Sequence, residues 1–151
     1  MAMTTINHEI KSSNISAQKM FKAVVQESNT TYTTVFPQLI KTIETIQGDG
    51  GPETILRFYF IDSVTTELMS LEIKVDVADP LNLYAKYTMT DTNDEVVVNE
   101  LKFEEEGQGC VCKLTTHYIK QDDEIHSGAE RALRVYKKVL EYLSANPHIC
   151  A

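Results

Sequence analysis

The sequence predicts an α+β domain in which a curved antiparallel sheet of seven strands grips one long C-terminal helix, with two short helices nearby. Three observations carry that prediction. Runs of alternating apolar and polar residues follow one another from Lys41 to Lys120, separated only by short turns, as in successive antiparallel strands. A single long amphipathic stripe closes the chain. Between two strand-like runs lies Gly48-Asp49-Gly50-Gly51-Pro52-Glu53, whose glycines allow positive φ and leave no side chain over the backbone.

The elements follow in order. Thr5 to Ile10 is a short strand, and Ser16 then caps a helix with Ala17, Met20, Phe21 and Val24 on one face. A polar stretch from Glu27 to Thr34 leads to Phe36-Pro37. Proline disfavours helical geometry at the residue before it, so any second helix here is short. Lys41 to Gln47 alternates at period two, and Ile55 to Phe60 is rich in strand formers.

Next, Met69, Leu71, Ile73 and Val75 alternate with Ser70, Glu72 and Lys74. After a turn at Asp79-Pro80, Leu83, Ala85, Tyr87 and Met89 alternate with Tyr84, Lys86 and Thr88. Thr90 to Asp94 turns the chain into a strand from Val96 to Phe103, and Gly107-Gln108-Gly109 turns it into the last, Val111 to Lys120. In the final helix Ala129, Ala132, Leu133, Tyr136, Val139, Leu140 and Leu143 form the apolar stripe. Ser127 and Glu130 have capping-box spacing, with a start one turn earlier also open, and Asn146-Pro147 is the stop.

With 151 residues, 42% of them hydrophobic and 24% charged, the chain reads as one domain, 1–151. A formal charge of -8 argues against nucleic acid as a specific partner. Nothing resembles a signal core or a membrane span, so a cytoplasmic monomer is expected. Of three cysteines, Cys110 and Cys112 share one strand face and Cys150 sits in a tail, which is no disulfide framework. His8, His117, His126 and His148 are dispersed, and neither a metal nor a cofactor is expected. The glycine loop (Gly48, Asp49, Gly50, Gly51) has the makings of an anion-attracting nest. It is no nucleotide P-loop, because no Lys-Ser/Thr pair and no helix follow it.

A large curled sheet and one helix do not close-pack along their full length, and the hollow left between them is the default binding site.

At this point the residues resemble a known family. Phe36-Pro37-Gln38-Leu39-Ile40-Lys41-Thr42-Ile43-Glu44 leading into the glycine loop, and the ending Tyr142-Leu143-Ser144-Ala145-Asn146-Pro147, are similar to the plant pathogenesis-related class-10 proteins. These are the relatives of the birch major pollen allergen. The resemblance runs from Thr5 to Ala151 and implies the helix-grip fold, with two short helices forming a V beneath the end of the long one. It also implies a large cavity for apolar or amphipathic plant metabolites, such as flavonoids, steroids, cytokinins or alkaloids, in a role linked to defence. Two departures are visible: Glu53 stands where the family commonly has a small residue, and the turn at Thr90 to Asp94 is shortened. The related norcoclaurine synthases place a lysine on the cavity side of the fourth strand. Here Lys74 falls on the opposite face, so that condensation is not expected.

Alternation together with the family pattern gives an inward set. It comprises Leu56, Phe58 and Phe60; Met69 and Leu71; Leu83, Ala85, Tyr87 and Met89; Asn99, Leu101 and Phe103; and, from the helix, Tyr136 and Leu140. On the seventh strand the family register points Val111, Lys113, Thr115, His117 and Ile119 inward. Periodicity alone leaves the opposite face, Cys110, Cys112, Leu114 and Tyr118, equally eligible. Two functions follow. The first is carriage or storage of a hydrophobic metabolite. The alternative is a cofactor-independent isomerase, cyclase or condensing enzyme in which His117, Lys113 or Tyr87 moves a proton. His117 is the natural candidate, with an ordinary imidazole pKa of about 6.5. It stands roughly 13 Å from Lys113 along one strand face, so only a ligand spanning the hollow meets both. A ribonuclease, proposed for some relatives, lacks both the charge and a paired acid and base.

Overall fold

The computed structural model describes residues 4–61, 66–91, 96–118 and 124–146. The strands are β1 (Thr4–Ser12), β2 (Ile40–Gln47), β3 (Ile55–Ile61), β4 (Leu68–Asp79), β5 (Tyr84–Asp91), β6 (Val96–Glu106) and β7 (Gly109–Tyr118). They form one antiparallel sheet in the order β1-β7-β6-β5-β4-β3-β2. The expected seven-stranded sheet with a long C-terminal helix is therefore present. Ile119, Lys120, the turn residues Thr92 to Asp94, Pro147 and Cys150 lie outside the described residues.

Ser16 starts helix α1 (Ala17–Phe21), its Oγ accepting from the Lys19 N–H at 3.1 Å. The helix continues through a π-helical turn at Lys22–Gln26, which buries Ala23, Val24 and Val25 in succession. Helix α2 (Ser28–Val35) occupies the polar stretch and buries only Thr31 and Tyr32. It ends at Phe36, whose φ of -123° and ψ of 58° are non-helical, as a following proline requires. Helix α3 (Glu124–Ala145) begins one turn ahead of the capping-box pair and ends where the Asn146 side chain donates to the Tyr142 carbonyl at 2.9 Å.

Register sorts the sheet into two faces. One row runs Ile6, Thr116, Asn99, Tyr87, Val75, and the next runs His8, Leu114, Leu101, Ala85, Ala78. This is the concave face, buried under the helices. β4 extends past the alternating segment because a register shift between Val75 and Val77 lets Ala78 rejoin that face. Such a bulge bends the strand and lets the sheet curl.

Here β7 departs from the expectation. Cys110, Cys112, Leu114, Thr116 and Tyr118 are buried on the concave face, whereas Lys113, Thr115 and His117 point to the convex side. Lys113 Nζ meets Glu104 Oε1 at 3.1 Å, and Thr115 Oγ1 donates to Asn7 Oδ1 at 2.9 Å. Of the described members of the expected inward set on this strand, only Val111 is buried, near the strand's start. The physical reason is solvation: ammonium and imidazole groups remain beside water and carboxylates, and the opposite register would carry them into an apolar interior.

His117 joins a four-strand network on the convex face. Its Nδ1 lies 3.0 Å from Thr5 Oγ1 and its Nε2 meets Glu100 Oε2, while the Tyr84 hydroxyl donates to Glu100 Oε1. The hydrogen bond from Tyr84, and then that from His117, hold the Glu100 carboxyl below its ordinary pKa against a smaller opposing effect of burial. Burial first, and Glu100 second, push the Tyr84 hydroxyl up to about 12.

Two predictions follow from this framework. A Cβ on Gly109 would sit 1.8 Å from the Ser12 carbonyl oxygen, so β1 and β7 approach as only glycine permits. Gly109→Ala is expected to cost about 2 kcal/mol in urea unfolding. Gly51→Ala, whose methyl meets only Asp49 Oδ1 at 3.4 Å, should be near neutral. For Glu100 the depressed folded pKa means stability that is full above the unfolded glutamate value of about 4.3 and is lost as pH falls through the lower folded value. Glu100→Gln should remove that component, giving a shallower loss of unfolding free energy with acid. Equal slopes for parent and variant would assign the acid sensitivity elsewhere.

Candidate functional site

The concave face is apolar along its length but not equally covered. Phe58, Ile73, Val75, Tyr87 and Leu101 are buried. Leu56, Phe60, Met69, Leu71 and Met89 share their face and remain half-buried. These side chains point toward the helices yet keep accessible surface, and they gather on β3, β4 and β5. The helices pack over other parts of the face. The Phe21 ring of α1 meets Phe103 edge-on at 5.8 Å, and the Tyr32 ring of α2 stands 5.8 Å from Phe58. Tyr136 and Leu140 of α3 are both buried.

Polar groups inside are few. Thr116 Oγ1 donates to Asn99 Oδ1 at 2.7 Å, and Asn99 Nδ2 faces the Met89 sulfur at 3.3 Å. Both Asn99 and Thr116 are essentially inaccessible, at 2% and 1% exposure. A thioether is a weak acceptor, so the Asn99 amide keeps donor capacity toward the interior.

Three phenols form the second polar group. Tyr32 of α2, Tyr87 of β5 and Tyr136 of α3 are all buried. Burial above all raises the pKa of all three, so they are neutral hydroxyls at physiological pH. Burial likewise pushes Cys110 to about 11 and Cys112 to about 12, which leaves them as protonated, space-filling thiols.

Of the residues expected to line a hollow, Phe58, Phe60, Met69, Leu71, Tyr87, Met89, Asn99 and Leu101 share the concave face, and Tyr136 and Leu140 are buried on α3. Lys113, Thr115 and His117 are excluded by the register of β7. Tyr32 and Thr116 were not anticipated. Tyr32 is the lone aromatic in a run of Thr and Asn, a signal of one buried position on an otherwise polar helix. Thr116 belongs to the alternative face of β7.

The glycine loop is closed on itself. The Gly50 N–H donates to Thr54 Oγ1 at 2.9 Å and the Gly51 N–H to Asp49 Oδ1 at 3.1 Å. Two donors of the expected anion nest are thus used inside the loop. Glu53, at φ 71°, donates its N–H to the Val75 carbonyl and pairs with Lys74 at 3.5 Å. The loop is a clasp between the β2–β3 turn and the bulge of β4. A separate open groove of about 690 Å³ lies between β1 and α3. Its lining mixes Glu9, Lys11, Lys137 and Glu141 with Ile10 and Leu140, and Ser12 and Ser144 both donate to Asn14 Oδ1, at 3.1 and 3.2 Å.

Comparison with known proteins agrees with this architecture. A relative from Catharanthus roseus, named as the intracellular pathogenesis-related protein T1, is 35% identical over 97% of this chain and 99% of its own. The crystal structure of Ara h 8.0201 superposes with a TM-score of 0.84 at 22% identity, over 95% of this chain and 99% of that one. Norcoclaurine synthase from Thalictrum flavum superposes at a TM-score of 0.71 and 18% identity, over 94% and 87%. Residues 1–146 match a single family along their whole length, and the chain belongs to the pathogenesis-related protein Bet v 1 family.

Proposed function

We propose that this protein binds a hydrophobic or amphipathic small molecule in the hollow between its sheet and α3, as a carrier or store within the cell, in a defence-related setting. The observation that carries this reading is the row of half-buried apolar side chains, Leu56, Phe60, Met69, Leu71 and Met89, on the concave face. Covering such surface with a ligand is favourable by about 25 cal/mol per Å² before ordering costs. The methionines adapt to more than one ligand shape. An intracellular setting is supported by the name of the Catharanthus relative.

The enzyme alternative has less support. Lys113 and His117, the groups offered for proton transfer, lie on the convex face. The phenols that do reach the interior have raised pKa values, far from those of an efficient general acid or base at neutral pH. The likeness to norcoclaurine synthase is one of fold.

Titration with the neutral, environment-sensitive dye N-phenyl-1-naphthylamine tests the proposal. Saturable, blue-shifted emission is expected. Leu71→Trp, which places bulk on the concave face, should weaken dye binding about tenfold, a change of about 1.4 kcal/mol. Lys113→Ala, on the convex face, should leave it unchanged. Absence of saturable binding, or equal losses in the two variants, would sink the reading.

A further inference from the structure

We infer that Asp49-Gly50 is a site of backbone isomerisation, at which aspartate converts to isoaspartate, and that the Thr54 hydroxyl sets its rate. The inference is independent of the ligand-binding reading.

The chemistry begins with the dipeptide. The Gly50 nitrogen attacks the side-chain carboxyl carbon of Asp49, the amide hydrogen and the carboxyl hydroxyl leave as water, and a five-membered imide closes. Water then reopens the ring at either carbonyl. Opening at the side-chain carbon restores aspartate. Opening at the main-chain carbon routes the backbone through the side chain, and neither step needs an oxidant or a cofactor. Glycine obstructs the attack least, because it has no side chain over its nitrogen. This is the one Asp-Gly step in the chain. Asp49 and Gly50 are both exposed, and a Cβ on Gly50 would meet nothing within 4 Å. The dipeptide is uncrowded and open to water.

The folded loop nevertheless holds both reacting groups. The attacking nitrogen is engaged, since the Gly50 N–H donates to Thr54 Oγ1 at 2.9 Å. The carboxyl is engaged too, its Oδ1 accepting from the Gly51 N–H at 3.1 Å. Thr54 is in no position to follow the nitrogen if it moves. Its side chain is fully buried, its N–H donates to the Gly51 carbonyl at 3.1 Å, and its carbonyl accepts from the Val75 N–H at 2.8 Å. The Glu53 N–H adds a bond to the Val75 carbonyl, also at 2.8 Å. Attack therefore requires the Gly50–Thr54 bond to open, and an anchor on β4 resists that opening. Gly48 and Gly50, at φ of 96° and 105°, keep the turn in the left-handed shape that meets this anchor. Isoaspartate lengthens the main chain by one carbon between Asp49 and Gly50. That shift displaces the Gly50 N–H from Thr54 and slackens the tie between the β2–β3 turn and β4.

The test ages parent, Thr54→Val, Thr54→Ser and Gly109→Ala side by side at neutral pH, with parent unfolded in urea as the reference. Chromatography of proteolytic peptides with electron-transfer mass spectrometry measures isoaspartate at position 49. Isoaspartate is expected to build up fastest in urea and slowest in the folded parent. Thr54→Val should raise the folded rate about tenfold, the scale of one lost hydrogen bond. Thr54→Ser keeps the hydroxyl and should match the parent. Gly109→Ala weakens the fold elsewhere and should stay near the parental rate. Hydrogen exchange at the Gly50 amide of the parent, expected to be slow, gives an answer even if Thr54→Val does not fold. No isoaspartate in urea overturns the site. A folded parent that reacts as fast as in urea, or an unprotected Gly50 amide, overturns the control by Thr54. So does an unchanged rate in Thr54→Val, or an equal rise in Gly109→Ala.

Discussion

A seven-stranded sheet has far more concave surface than one helix can cover, and much of this molecule answers that mismatch. The order β1-β7-β6-β5-β4-β3-β2 puts β6 and β7 near the first edge and β3 and β4 near the other. α1 and α2 supply cover on one side, with Phe21 against Phe103 and Tyr32 against Phe58. What they and α3 leave uncovered is the stretch of β3, β4 and β5 where apolar side chains stay half-buried. Filling that stretch with larger side chains would be the simple route to stability. Retaining it fits the proposed ligand-binding role.

The same constraint explains why the convex face is so heavily cross-tied. A curled sheet solvated on one side gains no packing there, and its strands must be kept in register by polar pairs. Arg57–Glu72, Lys113–Glu104 and the chain from Thr5 through His117 and Glu100 to Tyr84 link neighbouring strands on that face. The glycine loop adds a tie of another kind. Thr54 is fully buried, receives the Gly50 N–H and passes its own carbonyl to the Val75 N–H. A Cβ on Gly48 would come within 2.5 Å of Thr54 Oγ1, so the glycine there is required by the clasp itself. The feature that stands out most in the sequence is thus structural at its centre.

How much was legible in the chain depended on contrast between strand faces. β4 reads cleanly because Met69, Leu71, Ile73 and Val75 oppose Ser70, Glu72 and Lys74, and the structure puts them as read. β7 has no such contrast: Cys110, Cys112 and Leu114 on one face compete with Val111 and Thr115 on the other. Period two then gives two answers, and one residue of slip exchanges every side chain. The deciding information lay in neighbouring strands, in Glu104 and Glu100 of β6 and Asn7 of β1, which only the fold brings alongside. α2, expected only as a short second helix before Pro37, carries a weak signal for a different reason. Its Ser, Asn and Thr residues are ordinary in turns, and Thr33 even bonds back to the Asn29 carbonyl at 2.7 Å, so its helicity owes more to Tyr32 packing than to propensity.

The register of β7 also bears on the choice between holding a molecule and transforming it. With Lys113 and His117 inward, the hollow would contain a base, an acid and a route for protons. With them outward, the polar groups buried on the concave side among the described residues include an amide, a threonine and phenols that stay protonated near neutral pH. Such groups orient and donate, and they do so without changing charge. A surface of this kind stabilises a bound ground state and offers little that strengthens only in a transition state, which is what acceleration of a reaction requires. Under the proposed carrier function, apolar area supplies affinity and a few fixed donors decide which way round the ligand lies.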